Sequence, residues 1–272
     1  MKRSLSLAAI AAAGLLTLTA CNSSGSGEEG GYVTAGKLTM CSDIPYEPFE
    51  YVEDGENVGF DIDLATAVAT DLDLELEVIT TPFEAIQSGT ALESGQCDFV
   101  FSGMAITPER ATKMDFSKPY LKDNLALMAT KSSGISSIDE LEGVEVGVQQ
   151  ATTGEAYAEE AGTVPVQFED VGLLNQAIGS GQVDAAIANV STIYSSTQAN
   201  DELQLVEDFE TGEVLGAAVK LGNTELMDSI ESTMSGLRES GEYDSLVDEW
   251  FGDVADAARI SDEEIEAFSL EG

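Results

Sequence analysis

The sequence contains no histidine, and basic residues of any kind are scarce. Among its 272 residues, 11 are Lys or Arg and 51 are Asp or Glu, which gives a formal net charge of -40. The missing imidazole excludes Ser-His-Asp and Cys-His catalysis, His-ligated zinc and haem with an axial His. The shortage of positive charge excludes nucleic acid as a partner, because phosphate binding needs clustered Lys and Arg.

Hydrophobic residues nevertheless make up 43% of the chain. This share is too high for a disordered acidic segment, so the acidic residues are expected to coat a folded protein. A length of 272 residues allows one or two domains, since domains usually have roughly 100 to 200 residues. We predict no metal and no cofactor.

Residues 1–20 are typical of a secretory signal peptide. An apolar run at 5–19 follows two basic residues and is short for a membrane span. The small residues before Cys21 resemble the lipobox of bacterial lipoproteins, whose cysteine is lipidated; an ordinary signal with an incidental cysteine is the alternative. Residues 21–36 then form a flexible tether. These features predict an extracytoplasmic protein that a lipid on Cys21 anchors to the cell membrane.

From residue 37 onward, short strand-like runs alternate with helical periodicity, the pattern of a parallel sheet covered on both faces. A helix over Ile62–Leu72 has one apolar face and Asp61 at its N-terminus, and another is expected near Phe83–Glu93. The predicted strands are Lys37–Ser42, Glu75–Thr80, Asp98–Phe101, Leu125–Thr130, Val144–Val148, Val164–Phe168 and Ala185–Ala188.

A short internal repeat suggests two lobes of related topology. The residues SGQCD at Ser94–Asp98 recur as SGQVD at Ser180–Asp184, and each copy follows a helix and opens a strand. Ser102 and Gly103 then lie at a strand's carboxyl end in one half, and Asn189 does so in the other. Open α/β sheets bind ligands at such ends, and two facing sheets would form a cleft that closes around a small molecule.

Two cysteines follow the signal region, Cys41 and Cys97. Oxidising surroundings would permit a disulfide between them, but two cysteines form no framework and are also stable as buried thiols. Their predicted strand positions place them at opposite ends of the sheet, which favours unpaired thiols.

Several motifs carry a family resemblance. Gly59–Leu64 reads GFDIDL, which by itself could mark only a capped amphipathic helix. The other motifs are Asp43–Glu50 (DIPYEPFE), Ile106–Arg110 (ITPER), Asp115–Ser117 (DFS), Val146–Gly154 (VGVQQATTG) and Tyr243–Gly252 (YDSLVDEWFG). Together they resemble the bacterial extracellular solute-binding proteins of family three, the polar amino-acid receptors of ABC importers, over roughly Lys37–Asp253.

The resemblance implies an α/β, two-lobed periplasmic-binding-protein-like fold of type II. Each lobe is a mainly parallel sheet flanked by helices, and two strands form the hinge. Residues 37–120 and 213–252 would form a discontinuous first lobe, residues 121–212 the second lobe, and residues 253–272 an acidic C-terminal tail. The protein is expected to be a monomer.

The resemblance also implies a ligand site between the lobes. Arg110 would bind the ligand α-carboxylate with two charge-assisted hydrogen bonds, unless it is merely a surface arginine. Thr152 and Thr153 lead into a helix and suit the same carboxylate, or simply cap that helix. Ser102 and the carbonyl of Gly103 would meet the α-ammonium group.

The ligand side chain would meet a second group of residues. Tyr46 and Phe83 resemble the aromatic pair that sandwiches it, although a lone aromatic more often belongs to a core. Asp43 would favour an amide or cationic group on the ligand. Gln149 lies where some relatives carry another residue that recognises the ligand side chain.

Two positions depart from the family pattern. Ala105 stands where many relatives have Ser or Thr, which removes one hydroxyl from the carboxylate site. Asn189 stands where an aspartate commonly pairs with the α-ammonium group, so a hydrogen-bond acceptor remains but its charge is lost. Either the ammonium is held more weakly, or a neighbouring carboxylate substitutes, or the ligand is not a standard α-amino acid.

The sequence thus predicts a lipid-anchored receptor, not an enzyme, that delivers a polar amino acid to an ABC permease. Only Arg110 among the basic residues falls at a recognised ligand-facing position, so glutamate and aspartate are not expected as ligands. Neutral polar ligands come first and basic ones second. A secreted dehydratase acting on prephenate or arogenate, with a cleft carboxyl as general acid, shares the fold. A sensory binding protein without transport is a further alternative.

Overall fold

The computed structural model describes residues 31–270. The predicted signal peptide, the lipidation of Cys21 and most of the predicted tether lie outside the described residues. Within the described part of the chain, no helix has both the length and the apolar character that a membrane crossing requires.

Fourteen strands and ten α-helices make up residues 31–270, with three short 3-10 helices between them. The strands are β1 (Lys37–Ser42), β2 (Tyr51–Glu53), β3 (Glu56–Val58), β4 (Glu75–Thr80), β5 (Phe99–Val100), β6 (Met114–Phe116), β7 (Leu121–Lys122), β8 (Leu125–Thr130), β9 (Glu145–Gln149), β10 (Val164–Phe168), β11 (Ala185–Asn189), β12 (Leu203–Asp208), β13 (Val214–Leu215) and β14 (Ala218–Lys220). The helices are α1 (Phe60–Asp71), α2 (Phe83–Gln87), α3 (Thr90–Glu93), α4 (Thr153–Glu160), α5 (Val171–Ser180), α6 (Val190–Ala199), α7 (Thr224–Ser240), α8 (Glu242–Phe251), α9 (Ala255–Ala258) and α10 (Asp262–Ala267).

Two five-stranded sheets confirm the predicted α/β class. The first has the strand order β4-β1-β5-β14-β6, and the second has the order β10-β9-β11-β8-β12. The first three strands of each order run parallel, and the last two pair in antiparallel fashion. Since β14 follows the second sheet in the chain but pairs between β5 and β6, two separate parts of the chain build the first sheet.

Two short antiparallel strands connect the sheets. Leu121 of β7 lies opposite Leu215 of β13, and Lys122 lies opposite Val214. The chain therefore passes to the second sheet along β7 and returns along β13, which is the two-strand hinge that the fold class predicts.

Helices cover the sheets with their apolar faces. On the first sheet α1 buries Phe60, Leu64, Ala65 and Val68 completely, because apolar residues recur on one side of the helix. An apolar stripe on α7 is also buried and consists of Leu226, Ile230, Met234 and Leu237. In the second half α5 packs Leu174 and Ile178 in one cluster with Ala186 of β11.

The structure pairs Cys41 and Cys97 in a disulfide, with their Cα atoms 5.6 Å apart, so the expectation of unpaired thiols is wrong. The prediction placed the two cysteines at opposite ends of the sheet from their positions along the chain. Cys97 does lie before β5, as that prediction implies, but it shares one buried cluster with Cys41, Ala91 and Leu92. The segment between α3 and β5 therefore brings Cys97 onto the face of β1 where Cys41 lies.

Two other segments differ from the sequence prediction. The helix expected near Phe83–Glu93 divides into α2 and α3. Gly89 lies between them with a left-handed φ of +76°, which interrupts the helix. The segment expected as an acidic tail contains α9 and α10. Ile260 between them is buried, and Glu264 of α10 forms a 2.9 Å ion pair with Lys122 of the hinge strand β7.

Candidate ligand-binding site

The predicted ligand-binding residues surround one cavity between the two halves of the protein. The free space that the closed cavity encloses is small, about 20 Å³, and all eleven predicted ligand-binding residues line it. The lining residues are Asp43, Tyr46, Phe83, Ser102, Gly103, Ala105, Arg110, Gln149, Thr152, Thr153 and Asn189. The structure thus brings every predicted site residue to one place, while their role in binding stays a prediction.

Strand ends account for this convergence. Asp43 directly follows β1, and Ser102 and Gly103 follow β5 in the same sheet. From the other half, Gln149 ends β9 and Asn189 ends β11. Parallel strands in one sheet share a carboxyl edge, so the two sheets meet at the edges where α/β proteins bind small molecules.

Three hydrogen bonds cross the cavity from one half to the other. Tyr46 donates its hydroxyl to Asn189 Oδ1 at 2.8 Å, and Gln149 Nε2 donates to Asp43 Oδ2. Arg110 Nη2 donates to the carbonyl of Ala151 at 3.3 Å. The two halves therefore close over the cavity.

Arg110 is buried, with 4% of the residue exposed. Its Nη1 donates to the carbonyl of Ala105 at 2.9 Å, and its Cζ lies 5.1 Å from the centre of the Phe83 ring. Burial lowers the pKa of Arg110 to about 10, so the group remains a cation at neutral pH. A buried cation held by carbonyl oxygens and an aromatic face is suited to a carboxylate ligand.

The N-terminus of α4 faces the same cavity. Thr152 caps this helix, because its hydroxyl accepts a 3.2 Å hydrogen bond from the Glu155 N–H, and it donates to the carbonyl of Gln149 at 2.7 Å. Thr153 donates its hydroxyl to Glu213 Oε2 at 3.0 Å. First-turn N–H groups lack acceptors within a helix, and its dipole favours an anion at this end.

Two buried carboxyl groups accept hydrogen bonds from Ser102 and Gly103. Ser102 donates its hydroxyl to Glu50 Oε1 at 2.7 Å, and the Gly103 N–H donates to Asp61 Oδ2 at 2.7 Å. Asp61 lies in the first turn of α1, as predicted, but its carboxyl group contacts Gly103 and the hydroxyl of Tyr120 rather than capping the helix. The GFDIDL motif therefore reaches the site through Asp61.

Position 103 requires glycine. Its φ is +50°, and a Cβ atom there would lie 2.6 Å from the ring of Tyr46. The close approach lets the backbone of Gly103 and the Tyr46 ring form adjacent parts of the cavity wall.

The wall formed by Asp43 is strongly acidic. Burial raises the pKa of Asp43 to about 7, the hydrogen bond from Gln149 opposes this rise, and the charges of Asp170 and Glu169 add to it. A positively charged ligand group beside Asp43 would relieve both the burial cost and the repulsion.

Glu213 is the residue that sequence reasoning missed. It precedes the hinge strand β13, and its Oε2 accepts hydrogen bonds from Thr153 at 3.0 Å and from Asn189 Nδ2 at 3.4 Å. Burial raises the pKa of Glu213, while Thr153 and the charge of Arg110 oppose that rise. A neighbouring carboxylate is one of the three alternatives that Asn189 leaves open in the sequence, but the place of Glu213 beside the returning hinge strand emerges only from the fold.

A two-lobed α/β fold, a two-strand hinge and a closed cavity at the strand ends together define a type II periplasmic binding protein. Comparison with known proteins specifies the family. The chain belongs to the bacterial extracellular solute-binding proteins, family 3, whose model matches residues 38–253.

Individual relatives have similar folds and cover most of the chain. The arginine-binding extracellular protein ArtP of Bacillus subtilis (strain 168) is 37% identical over 248 residues, which are 89% of this chain and 95% of ArtP. The structure of an ancestral arginine-binding protein bound to glutamine has a TM-score of 0.76 and 33% identity, covering 81% of this chain and 100% of the other. AbpA from Streptococcus pneumoniae bound to L-arginine has a TM-score of 0.74 and 33% identity, covering 79% and 94%.

Proposed function

We propose that this protein captures a polar amino acid in the cavity between its halves and delivers it to an ABC permease. It binds its ligand as a monomer and without turnover, and a lipid on Cys21 holds it at the outer face of the cell membrane. The observation that carries the proposal is the cavity itself, in which a buried guanidinium, a buried carboxyl group and two aromatic rings surround one space.

The residues that line the cavity assign each part of an amino acid to one of its sides. Arg110 and the N-terminus of α4 would bind the α-carboxylate, Ser102, Gly103 and Asn189 would face the α-ammonium group, and Tyr46 and Phe83 would flank the side chain.

For the ligand side chain we place basic groups before neutral amides, the reverse of the order that the sequence alone favours. Asp43 is buried beside two further acidic residues, and a cation compensates an ionised buried carboxylate better than an amide does. The net charge of -40 also attracts cationic ligands from a distance. ArtP is described as arginine-binding, which agrees with this order.

A neutral amide remains the second choice, and one contact supports it directly. The amide of Gln149 donates to Asp43, so the carboxyl group accepts an amide donor without rearrangement. The ancestral arginine-binding protein bound to glutamine shows both ligand types in one relative.

A thermal-shift screen of the twenty amino acids tests the proposal, because a ligand that binds only the folded protein raises its melting temperature. L-Arginine should give the largest shift and L-glutamine a smaller one. In Asp43→Asn the arginine shift should fall below the glutamine shift, whereas Asp201→Asn, which changes an exposed residue, should preserve the order. A screen in which no amino acid raises the melting temperature would contradict the proposal.

The dehydratase alternative has one observation in its favour. The pKa of the Asp43 carboxyl group, raised to about 7 mainly by burial, suits a general acid at neutral pH. Incubation of the purified protein with prephenate and with arogenate separates the two functions. Unchanged substrates would support binding without turnover, and product formation that Asp43→Asn abolishes would establish the enzyme.

A further inference from the structure

Glu213 lies in the hinge but contacts residues of the second half that line the cavity. Its backbone carbonyl accepts a 3.1 Å hydrogen bond from the N–H of Asp123, which joins the two connecting segments. Its side chain accepts hydrogen bonds from Thr153 and Asn189, both of which line the cavity. The Glu213 carboxylate at the hinge is therefore in direct contact with two side chains that line the cavity, those of Thr153 and Asn189.

The contacts of Asn189 determine how its amide is oriented. Its Nδ2 donates to the carbonyl of Asp123 at 2.8 Å and to Glu213 Oε2 at 3.4 Å. Its Oδ1 accepts the hydroxyl of Tyr46 at 2.8 Å. Because both amide donors are used toward the hinge, the amide oxygen is directed toward Tyr46, which itself lines the cavity.

An aspartate at this position would not fit the same surroundings. One of its oxygens would replace Nδ2 and would face the Asp123 carbonyl and the Glu213 carboxylate, with no hydrogen atom to donate to either. Two carboxylates at such a distance cannot both stay ionised without strong repulsion. The amide at 189 and the carboxylate at 213 therefore fit each other.

We propose that Glu213 supplies the negative charge that the ligand α-ammonium group requires, and that Asn189 links the two. In this arrangement the amide oxygen of Asn189 contacts the ammonium, and Glu213 behind it orients the amide and attracts the cation. Coulomb attraction decays slowly in a site from which water is excluded, so a carboxylate one side chain away remains effective. Glu213 is thus a positioning residue for amino-acid recognition, and the inference rests on the proposed function.

A purely structural role for Glu213 makes a different prediction. If its carboxylate only held Thr153 and the hinge in place, its loss would weaken every ligand of the cavity alike. If it serves the ammonium group, its loss would weaken only ligands that carry this group. The preference for an amino acid over its deaminated analogue therefore separates the two roles.

The experiment is calorimetry with L-arginine and with 5-guanidinopentanoate, which is arginine without its α-ammonium group. Wild-type protein should prefer arginine by at least about tenfold, the effect of one charged contact. Glu213→Gln should lower the arginine affinity by about tenfold or more, and it should change the affinity for 5-guanidinopentanoate by less than about threefold. Glu210→Gln, an exposed change of the same kind nearby, should leave both affinities unchanged.

Two further variants make the test independent of any folding defect in Glu213→Gln. Asn189→Asp alone should weaken arginine binding, because it places two carboxylates together. The double variant Asn189→Asp/Glu213→Gln should restore the preference for arginine, because it leaves one carboxylate beside one amide.

The outcomes distinguish this inference from the proposed function. Wild-type protein that binds none of the twenty amino acids would overturn both. Wild-type protein that binds arginine, together with a Glu213→Gln variant of unchanged preference, would overturn only the role of Glu213. An Asn189→Asp variant that binds arginine more tightly than wild type would overturn it as well.

Discussion

Arg110 is the residue on which we expect recognition of an amino acid to depend most strongly. The hydrogen-bond partners of the buried guanidinium are backbone carbonyls, so a carboxylate that enters the cavity would give it a charged hydrogen-bond partner. Arg110→Ala should therefore weaken L-arginine binding by at least about tenfold, since charge-assisted hydrogen bonds are each worth roughly 1.5 to 3 kcal/mol. Calorimetry at constant salt measures the loss.

Arg259→Ala is the matched control for this variant. Arg259 lies outside the cavity and forms ion pairs with Asp244, Asp248 and Asp256 on the surface. The control should bind arginine as wild type does. Unchanged affinity in a folded Arg110→Ala protein would refute the role assigned to Arg110.

The sequence identifies candidate residues by their chemical type, but it does not show which of them are in contact. Arg110, Asp43 and Asn189 were found because their residue types and neighbouring motifs fit known roles. Glu213 was not found, because its distance from position 189 in space depends on the return of the chain through the hinge. The position of Asp61 beneath Gly103 likewise depends on the packing of α1 against the first sheet.

Among the structural elements, β1 and the segment entering β5 are the pair most directly tied to the site. Asp43 follows β1, while Ser102 and Gly103 follow β5, and the disulfide between Cys41 and Cys97 joins the two segments covalently. It therefore constrains the unfolded chain and also fixes the distance between two parts of the cavity wall.

Removal of this disulfide should lower both stability and affinity. Cys41→Ala/Cys97→Ala should lose about 2 to 4 kcal/mol of unfolding free energy, as expected for a disulfide that closes a loop of this size. Urea unfolding measures the change. A reductant should bring wild-type protein close to the double variant and should leave the variant itself unaffected. Equal stability of oxidised wild type and the variant would contradict the expectation.

Several elements, including their ends, follow from the hydrophobic pattern, whereas the contacts between elements do not. The strands at Lys37–Ser42, Glu75–Thr80, Leu125–Thr130 and Val164–Phe168 have the predicted bounds. The disulfide was missed because strand positions alone do not show that the segment between α3 and β5 packs Cys97 against Cys41. The contact of α10 with the hinge was missed because acidic composition does not reveal which residue pairs with Lys122.

For the whole molecule, buried carboxyl groups determine how stability changes with pH. Burial raises the pKa of Asp43, Asp61 and Asp123 to about 7, from an ordinary value of 3.8. The folded protein therefore binds more protons than the unfolded chain between about pH 4 and 7, and the unfolding free energy falls as pH rises through this range.

Urea unfolding at pH 5 and pH 8 tests this sign. The protein without ligand should be more stable at pH 5 by at least about 2 kcal/mol, since one unit of pKa shift corresponds to about 1.4 kcal/mol. Asp61→Asn should reduce the difference, because an amide oxygen can still accept from Gly103 and Tyr120 but no longer titrates. Asp201→Asn at the surface should leave it unchanged. Greater stability at pH 8 would contradict the argument.

The central claim is that the closed cavity recognises an α-amino acid through its α-carboxylate and α-ammonium groups. The most direct measurement is calorimetry on protein that has been unfolded and refolded to remove any bound ligand, with L-arginine and with agmatine, which lacks the carboxylate. We expect one arginine to bind per chain with a Kd of about 10 μM or tighter, and agmatine to bind at least about 100-fold more weakly. Equal affinity for both compounds, or no binding of arginine or any other amino acid, would contradict it.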